Sequence, residues 1–180
     1  MLWVLFCAGL VRADDNYVHT FTGFTFPPKV AEFTQVKITP FNDAHSDIEV
    51  DYNNDPYTVH LSVYVYPARE PLKQHYEECK DAVIRATSNA KLLEEKPITL
   101  DKSGVKYDGF SALFSFRAKF VGNQDQDILS KLIIFRRANY YVLFRISYAL
   151  NAKETAEKQI DDFIQQFTWP TGDGTTSSSL

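Results

Sequence analysis

Apolar and acidic positions alternate between Asp47 and Tyr52, with Ile48, Val50 and Tyr52 set against Asp47, Glu49 and Asp51. A period of two marks a half-buried strand, here with an acidic outer face. Asn53-Asn54-Asp55-Pro56 then groups residues that favour a turn, because Asn and Asp bond their own backbone and Pro presets φ. Tyr57, Val59, Leu61, Val63 and Val65 resume the alternation as far as Pro67, so the short connection predicts an antiparallel hairpin. From Glu70 to Asn89 the period lengthens to three or four. Leu72, Tyr76, Cys79, Val83 and Ile84 form one stripe there, with Pro71 suited to the first turn, and this predicts an amphipathic helix.

Strand character returns in Leu92 to Leu100 and Val105 to Tyr107, on either side of Asp101-Lys102-Ser103-Gly104. Three apolar, aromatic stretches follow: Phe110 to Val121, Ile128 to Arg136 and Tyr140 to Leu150. Gly122-Asn123-Gln124-Asp125 and Arg137-Ala138-Asn139 separate them, which predicts a meander. Asn151 with Glu154 three residues on has the pattern of a capped helix start. Ala156, Ile160, Phe163, Ile164 and Phe167 lay out one apolar helix face, and Trp169-Pro170 closes the unit. Strand pair, helix, meander, helix predicts an α+β fold, a twisted and mainly antiparallel sheet flanked by two principal helices. The regular β-α alternation of doubly wound nucleotide-binding folds is not present.

The ends differ from the middle. Leu2 to Leu10 is an unbroken apolar run, followed by Val11-Arg12-Ala13 and then Asp14-Asp15. It is too short to span a bilayer, and small residues at the −3 and −1 positions mark a cleavage site. Residues 1–13 therefore read as a secretory signal peptide, residues 14–170 as a single α/β domain and residues 171–180, rich in Gly, Thr and Ser, as a disordered tail. Export to the periplasm or the extracellular space follows, with no membrane span in the mature chain. Cys7 does not fit a lipidation site, because bulky Phe6 precedes it. Without residues 1–13, Cys79 is the single cysteine, so no intramolecular disulfide can form; it reads as a small buried hydrophobe of the helix stripe. A net charge of −4 and a pI near 5.5 argue against nucleic acid as a partner, since phosphate binding draws on a basic surface.

Four short motifs carry a family resemblance: Phe24-Thr25-Phe26-Pro27, Val63-Tyr64-Val65-Tyr66-Pro67, Phe144-Arg145-Ile146-Ser147-Tyr148 and Phe167-Thr168-Trp169-Pro170. In this order and spacing the chain resembles a group of uncharacterised exported bacterial proteins with a PsbP-like α/β/α sandwich. The motifs are strand aromatics with a following proline, so they read as structural. The last strand departs from the pattern, with Ala149-Leu150 where a proline is expected. Relatives by fold include extrinsic proteins of the photosynthetic oxygen-evolving complex and a Ran-binding import factor. The resemblance therefore implies a non-catalytic accessory module that docks on a protein partner, here one in the cell envelope. Fold alone does not establish function.

Candidate chemistry is sparse. Asp43-Ala44-His45-Ser46-Asp47 spaces oxygen and imidazole groups alternately, but a calcium loop wants Gly and Glu where Ile48 and Asn54 stand; it reads as a polar turn. His60 and Ser62 share a strand face without a Gly-x-Ser-x-Gly elbow, and His19 and His75 have no companions in the sequence. No cofactor, metal or catalytic residue is implied. Arg117, Lys131 and Arg145 lie on three consecutive predicted strands, and short turns would set them side by side. Like charges so placed call for a counterion: the acidic face of Asp47, Glu49 and Asp51, an anionic small ligand, or a protein partner. Tyr64, Tyr66, Tyr140, Tyr141 and Tyr148 either fill sheet–helix interfaces or line a cleft for an amphiphile, the second being the mark of a small-ligand carrier.

The cleavage reading makes Asp14 the mature N-terminus. N-terminal sequencing of protein from the producing cell should begin there, and a cytosolic product that keeps Met1 to Ala13 would contradict it.

Overall fold

The computed structural model describes residues 16–54 and 58–170. The signal segment, the tail and part of the 53–56 turn lie outside them. Ten strands and two helices follow one another as β1 (Tyr17–Val18), β2 (Thr25–Phe26), β3 (Lys29–Val30), β4 (Phe33–Pro40), β5 (Ile48–Asn54), β6 (Val59–Pro67), α1 (Leu72–Ala86), β7 (Lys91–Lys102), β8 (Val105–Lys119), β9 (Asp125–Arg137), β10 (Tyr140–Ala149) and α2 (Lys153–Gln166). Strands β1 and β2 form a small ribbon. The other eight make one antiparallel sheet in the order β3-β4-β5-β6-β10-β9-β8-β7. The α+β class, the antiparallel sheet and the two principal helices agree with the sequence pattern.

Antiparallel neighbours with side chains alternating between faces give the sheet two apolar surfaces. On one, Val50, Tyr52, Leu61, Val63, Val142, Phe144, Ile146, Ile133 and Phe135 pack with Ala156, Ile160 and Phe163 of α2. On the other, Tyr76 and Val83 of α1 meet Ala112, Phe114, Leu132, Ile134, Tyr141 and Leu143. A helix on each face makes three layers. Lys80 of α1 bridges to Glu77 and to Glu95 of β7 at 2.7 and 2.6 Å, and Tyr76 stacks on Phe110 with ring centroids 4.9 Å apart. The helix is thus held over the β7–β10 half, and the same face of β5 carries half-buried Glu49, Asp51 and Asn53 instead of apolar side chains.

The two end motifs meet. Thr25 and Thr168 form an antiparallel bridge, and Phe24 lies 6.0 Å from Phe167 and 5.2 Å from Trp169, ring centre to ring centre. Tyr107 donates to the Pro170 carbonyl at 2.7 Å, so the segments around Thr25 and Thr168 are clamped to each other and to β8 under the α2 face. These aromatics are core material.

Four details differ from the sequence pattern. Strand β4 has no clear alternation, because only Phe33 is buried and the register shifts between Gln35 and Lys37; the bulge breaks the period of two. Helix α1 stops at Ala86, ahead of Asn89. Asn151 does not cap α2: residues Leu150–Ala152 form a 3₁₀ turn, and Ala152 takes the cap position without a side-chain bond. Lastly, Val105–Lys119 is one continuous strand in place of two pieces. Gly109 permits this, since a Cβ there would sit 2.3 Å from the Ile134 carbonyl oxygen and 2.6 Å from the Phe135 ring.

Replacing Gly109 with Ala should therefore force β8 and β9 apart locally and destabilise the fold by about 1–3 kcal/mol, the usual cost of overpacking. Equilibrium denaturation in urea measures it; an unchanged midpoint would show that β9 gives way without cost.

Candidate functional site

The three basic candidates do not form one patch. Arg145 stands opposite Leu132, and Lys131 opposite Ile146. A one-residue offset sends the two cations to opposite faces of the sheet. Its cause is the β9–β10 hairpin, which closes with Ala138 and Asn139 alone because Arg137 pairs with Tyr140. A three-residue turn at 137–139 would have set Lys131 against Arg145. Arg117 pairs with Asp127 along the strands and through its guanidinium, at 3.3 Å, where both side chains are largely exposed. Lys131 lines a separate cavity of about 260 Å³ at the edge of α2, with Glu94, Lys96, Lys153, Glu157 and Asp161.

Arg145 is in a different situation. It lies on the α1 face of β10, in one cross-strand row with Ser62 of β6 and Asp51 of β5. Strands two apart are separated by roughly 10 Å, and Ser62 fills the gap by donating to Asp51 at 2.5 Å. The acidic face foreseen as a counterion is engaged elsewhere in the same way, with Tyr64 bonded to Glu49. Burial presses the guanidinium below its usual pKa range, yet an arginine keeps its charge in proteins. Its Nε is buried without a hydrogen-bond partner, and among the described residues no carboxylate lies within 4.0 Å of it. The open depression above it, about 370 Å³, is lined by Phe41, Asp47, Tyr64, Tyr66 and Leu143. Tyr64, whose hydroxyl donates to Glu49 and has its pKa pushed up to about 12 by burial and by that carboxylate, adds a neutral phenol to the wall.

Asp47 and Tyr66 also border a second cavity of about 280 Å³, which reaches Arg69, Glu70, His75 and Tyr141 at the start of α1. His75 is its centre. The imidazole stacks on Tyr141, 4.2 Å between centroids and 6° from parallel. Nδ1 faces the Glu70 carboxylate at 2.6 Å, and Nε2 faces the Tyr66 hydroxyl at 2.8 Å. Cys79, one helical turn on, places its sulfur 3.5 Å from the same Nε2. Carboxylate, imidazole and thiol in a row are the parts of a nucleophile relay. The wiring differs, because the phenol holds Nε2 more closely than the sulfur does and burial pushes the thiol pKa up. Burial of the thiol thus disfavours the thiolate.

Sequence reasoning gave His75 no companions, and the structure gives it four. The local signal was the run Glu70, His75, Glu78, Cys79, whose last three members are i, i+3 and i+4 on one helix face. Tyr66 and Tyr141 could be added only by folding the sheet. The Asp43–Asp47 segment is a turn, with Asn42 and Ser46 bonded to each other. His60 packs on Phe120, 5.1 Å between centroids, and Ser62 is committed to Asp51, so these two make no catalytic pair. The five tyrosines divide between faces: Tyr140 and Tyr148 go to the α2 side, Tyr64, Tyr66 and Tyr141 to the α1 side.

The sequence matches no protein-family model and no curated protein. Solved structures do resemble it. The solution structure of cyanobacterial PsbP (CyanoP) from Synechocystis sp. PCC 6803 has a TM-score of 0.54 at 15% identity, covering 93% of this chain and 99% of that one. The fold is therefore PsbP-like. The crystal structure of the Saccharomyces cerevisiae Ran-binding protein Mog1p gives 0.46 at 13% identity, over 86% of this chain and 95% of the other.

A raised thiol pKa and partial burial have a measurable consequence at Cys79. Alkylation of the native protein near pH 8 should run at least ~10-fold slower than in the unfolded chain and keep rising with pH beyond the ordinary thiol value of about 8.5. Rapid labelling of the native protein would show a thiolate activated by His75.

Proposed function

We propose that the protein is an exported, non-catalytic docking module of the cell envelope, and that the depression over Arg145 receives an acidic side chain of a protein partner. One observation carries the reading: a half-buried guanidinium whose Nε is enclosed without a hydrogen-bond partner and which, among the described residues, has no carboxylate within 4.0 Å. Burying a charge is unfavourable unless it is paired and hydrogen-bonded, so an arginine held in this way is set up to be completed from outside. Arg is also the side chain suited to bidentate contact with a carboxylate. Tyr64 and Tyr66 flank it with apolar bodies and polar tips, a composition common at protein interfaces. Phe41, 54% exposed, supplies an apolar rim. The apolar run ending in Val11-Arg12-Ala13 supports export, and the resemblance by fold to extrinsic docking proteins agrees with binding as the mode of action.

A small-ligand carrier is the second reading. It calls for an enclosed apolar cavity, whereas the space over Arg145 is an open depression bordered by Asp47, a shape better matched to a protruding side chain.

Arg145→Gln tests the proposal. Because no ion pair is lost, thermal unfolding should show equal or slightly higher stability, not the loss of about 3–5 kcal/mol that follows from breaking a buried pair. A partner recovered with the wild type from the envelope should be lost with Arg145→Gln and retained with Arg117→Gln. Retention by both variants would remove Arg145 from the interface. Stabilisation of the wild type by free carboxylates or phosphate, without any protein partner, would favour the carrier.

A further inference from the structure

We infer that Glu70, His75 and Glu78 form a binding site for a divalent transition-metal ion of the zinc type at the start of α1. Their ligand atoms lie within 4.8 Å of one another, with His75 Nδ1 at 2.6 Å from Glu70 Oε1 and 4.0 Å from Glu78 Oε2. Around a zinc ion with bonds of about 2.0–2.1 Å, tetrahedral ligand atoms stand roughly 3.3 Å apart. Glu70 has to withdraw and Glu78 to approach by an ångström or so. Glu78 has room to do this, since its side chain is 59% exposed and its ion-pair contact among the described residues is this one with His75.

The other two ligands are already held by their outer atoms. His75 presents Nδ1 to the carboxylates while Tyr66 takes Nε2, and the stack on Tyr141 fixes the ring plane. Glu70 has Oε2 tied to the Gln74 side chain at 2.7 Å, leaving Oε1 for the ion. A ligand imidazole bonded through its second nitrogen, and a ligand carboxylate bonded through its second oxygen, are the usual supports of a metal site. The structure therefore shows both ligands and supports, formed by parts of β6, β10, the segment before α1 and α1 itself that meet only in the fold.

Charge favours a cation. Two carboxylates neutralise a divalent ion, and Asp47 borders the same cavity; Arg69, also on its wall, opposes them with a single positive charge. One imidazole with two carboxylates suits zinc, cobalt or nickel, whereas calcium prefers oxygen ligands alone. Cys79 is outside the set because its sulfur approaches Nε2, the nitrogen turned away from the carboxylates. Three protein ligands leave a position open to solvent or to a donor from a partner.

Zinc titrated calorimetrically into tag-free, metal-free full chain should bind one ion per chain. His75→Ala and Glu78→Gln should each weaken binding by at least ~10-fold, while Cys79→Ser and Arg145→Gln leave it unchanged. Calcium at the same concentration should not compete. Because His75 is packed between two tyrosines, its variant is checked by circular dichroism. Glu78→Gln, at a largely exposed position, gives the answer even if His75→Ala fails to fold. The inference is overturned by absence of zinc binding, by equal affinity in Glu78→Gln, by loss of binding in Cys79→Ser, or by calcium displacing zinc, which would mark an acidic surface without a histidine ligand. Loss of the Arg145 partner contact with zinc binding intact, or the reverse, separates this inference from the docking function.

Discussion

Antiparallel pairing of β6 with β10, from Val59 opposite Tyr148 to Pro67 opposite Tyr140, joins two halves of the chain that are each built from local connections. β3 to β6 fold back on one another in sequence, as do β7 to β10. Among the described residues their junction is the one long-range pairing within the eight-stranded sheet, and it forces α1 to cross a face of the sheet from central β6 to β7 at the far edge. Closing so distant a contact costs chain entropy before any burial offsets it. The return is a sheet centre buried on both faces, with Val63 against Phe144 and Leu61 against Ile146 fully enclosed.

The same junction makes the site. Alternation along β6 and β10 sends Val63, Val65, Phe144 and Ile146 to the α2 face, and so must send Ser62, Tyr64, Tyr66, Tyr141 and Arg145 to the α1 face. Because α1 is anchored on β7 and β8 by Lys80 and Tyr76, its first turns reach only the end of β6, at Tyr66. What remains uncovered is the strip from Asp51 and Glu49 across Ser62 and Tyr64 to Arg145. Arg145 is half-buried, with its Nε enclosed, and is separated from Asp51 by the intervening Ser62. His75 gains its surroundings in the same place, where the start of α1 meets Tyr66 and Tyr141.

The two faces also differ in kind. Phe24, Phe26, Phe144, Phe163, Phe167 and Trp169 make the α2 side a continuous aromatic core, and the segments around Thr25 and Thr168 are locked into it. The first and last of the four motifs lie here entirely, while the two strand motifs divide by alternation, burying Val63, Val65, Phe144 and Ile146 here and sending Tyr64, Tyr66 and Arg145 to the α1 side. On the α1 side the polar residues Asp51, Ser62, Tyr64, Glu49 and Arg145 share one face of the central strands, whereas on the α2 side the titratable groups stand at the margin, around Lys131, Lys153 and Glu157.

Strands β5 and β6 and both helices were legible because one face of each is markedly more buried than the other, which imposes a period of two or of three to four, and β9 and β10 because burial on both faces makes them near-continuous apolar runs. Strand β4 was not, since an edge strand with a bulge buries little beyond Phe33, and Gly109 hid the continuity of β8 because its role is to let a neighbour approach. Arg145 could be singled out as a charge within an apolar strand. Its neighbours could not be named, because period-two alternation fixes the faces of residues within a strand and says nothing of their register against the next. That register turned on whether Arg137 belonged to the hairpin loop or to β9, a choice settled by strand pairing and not by local preference. One residue there separated a triple-cation patch from an arginine that stands on the opposite face from Lys131.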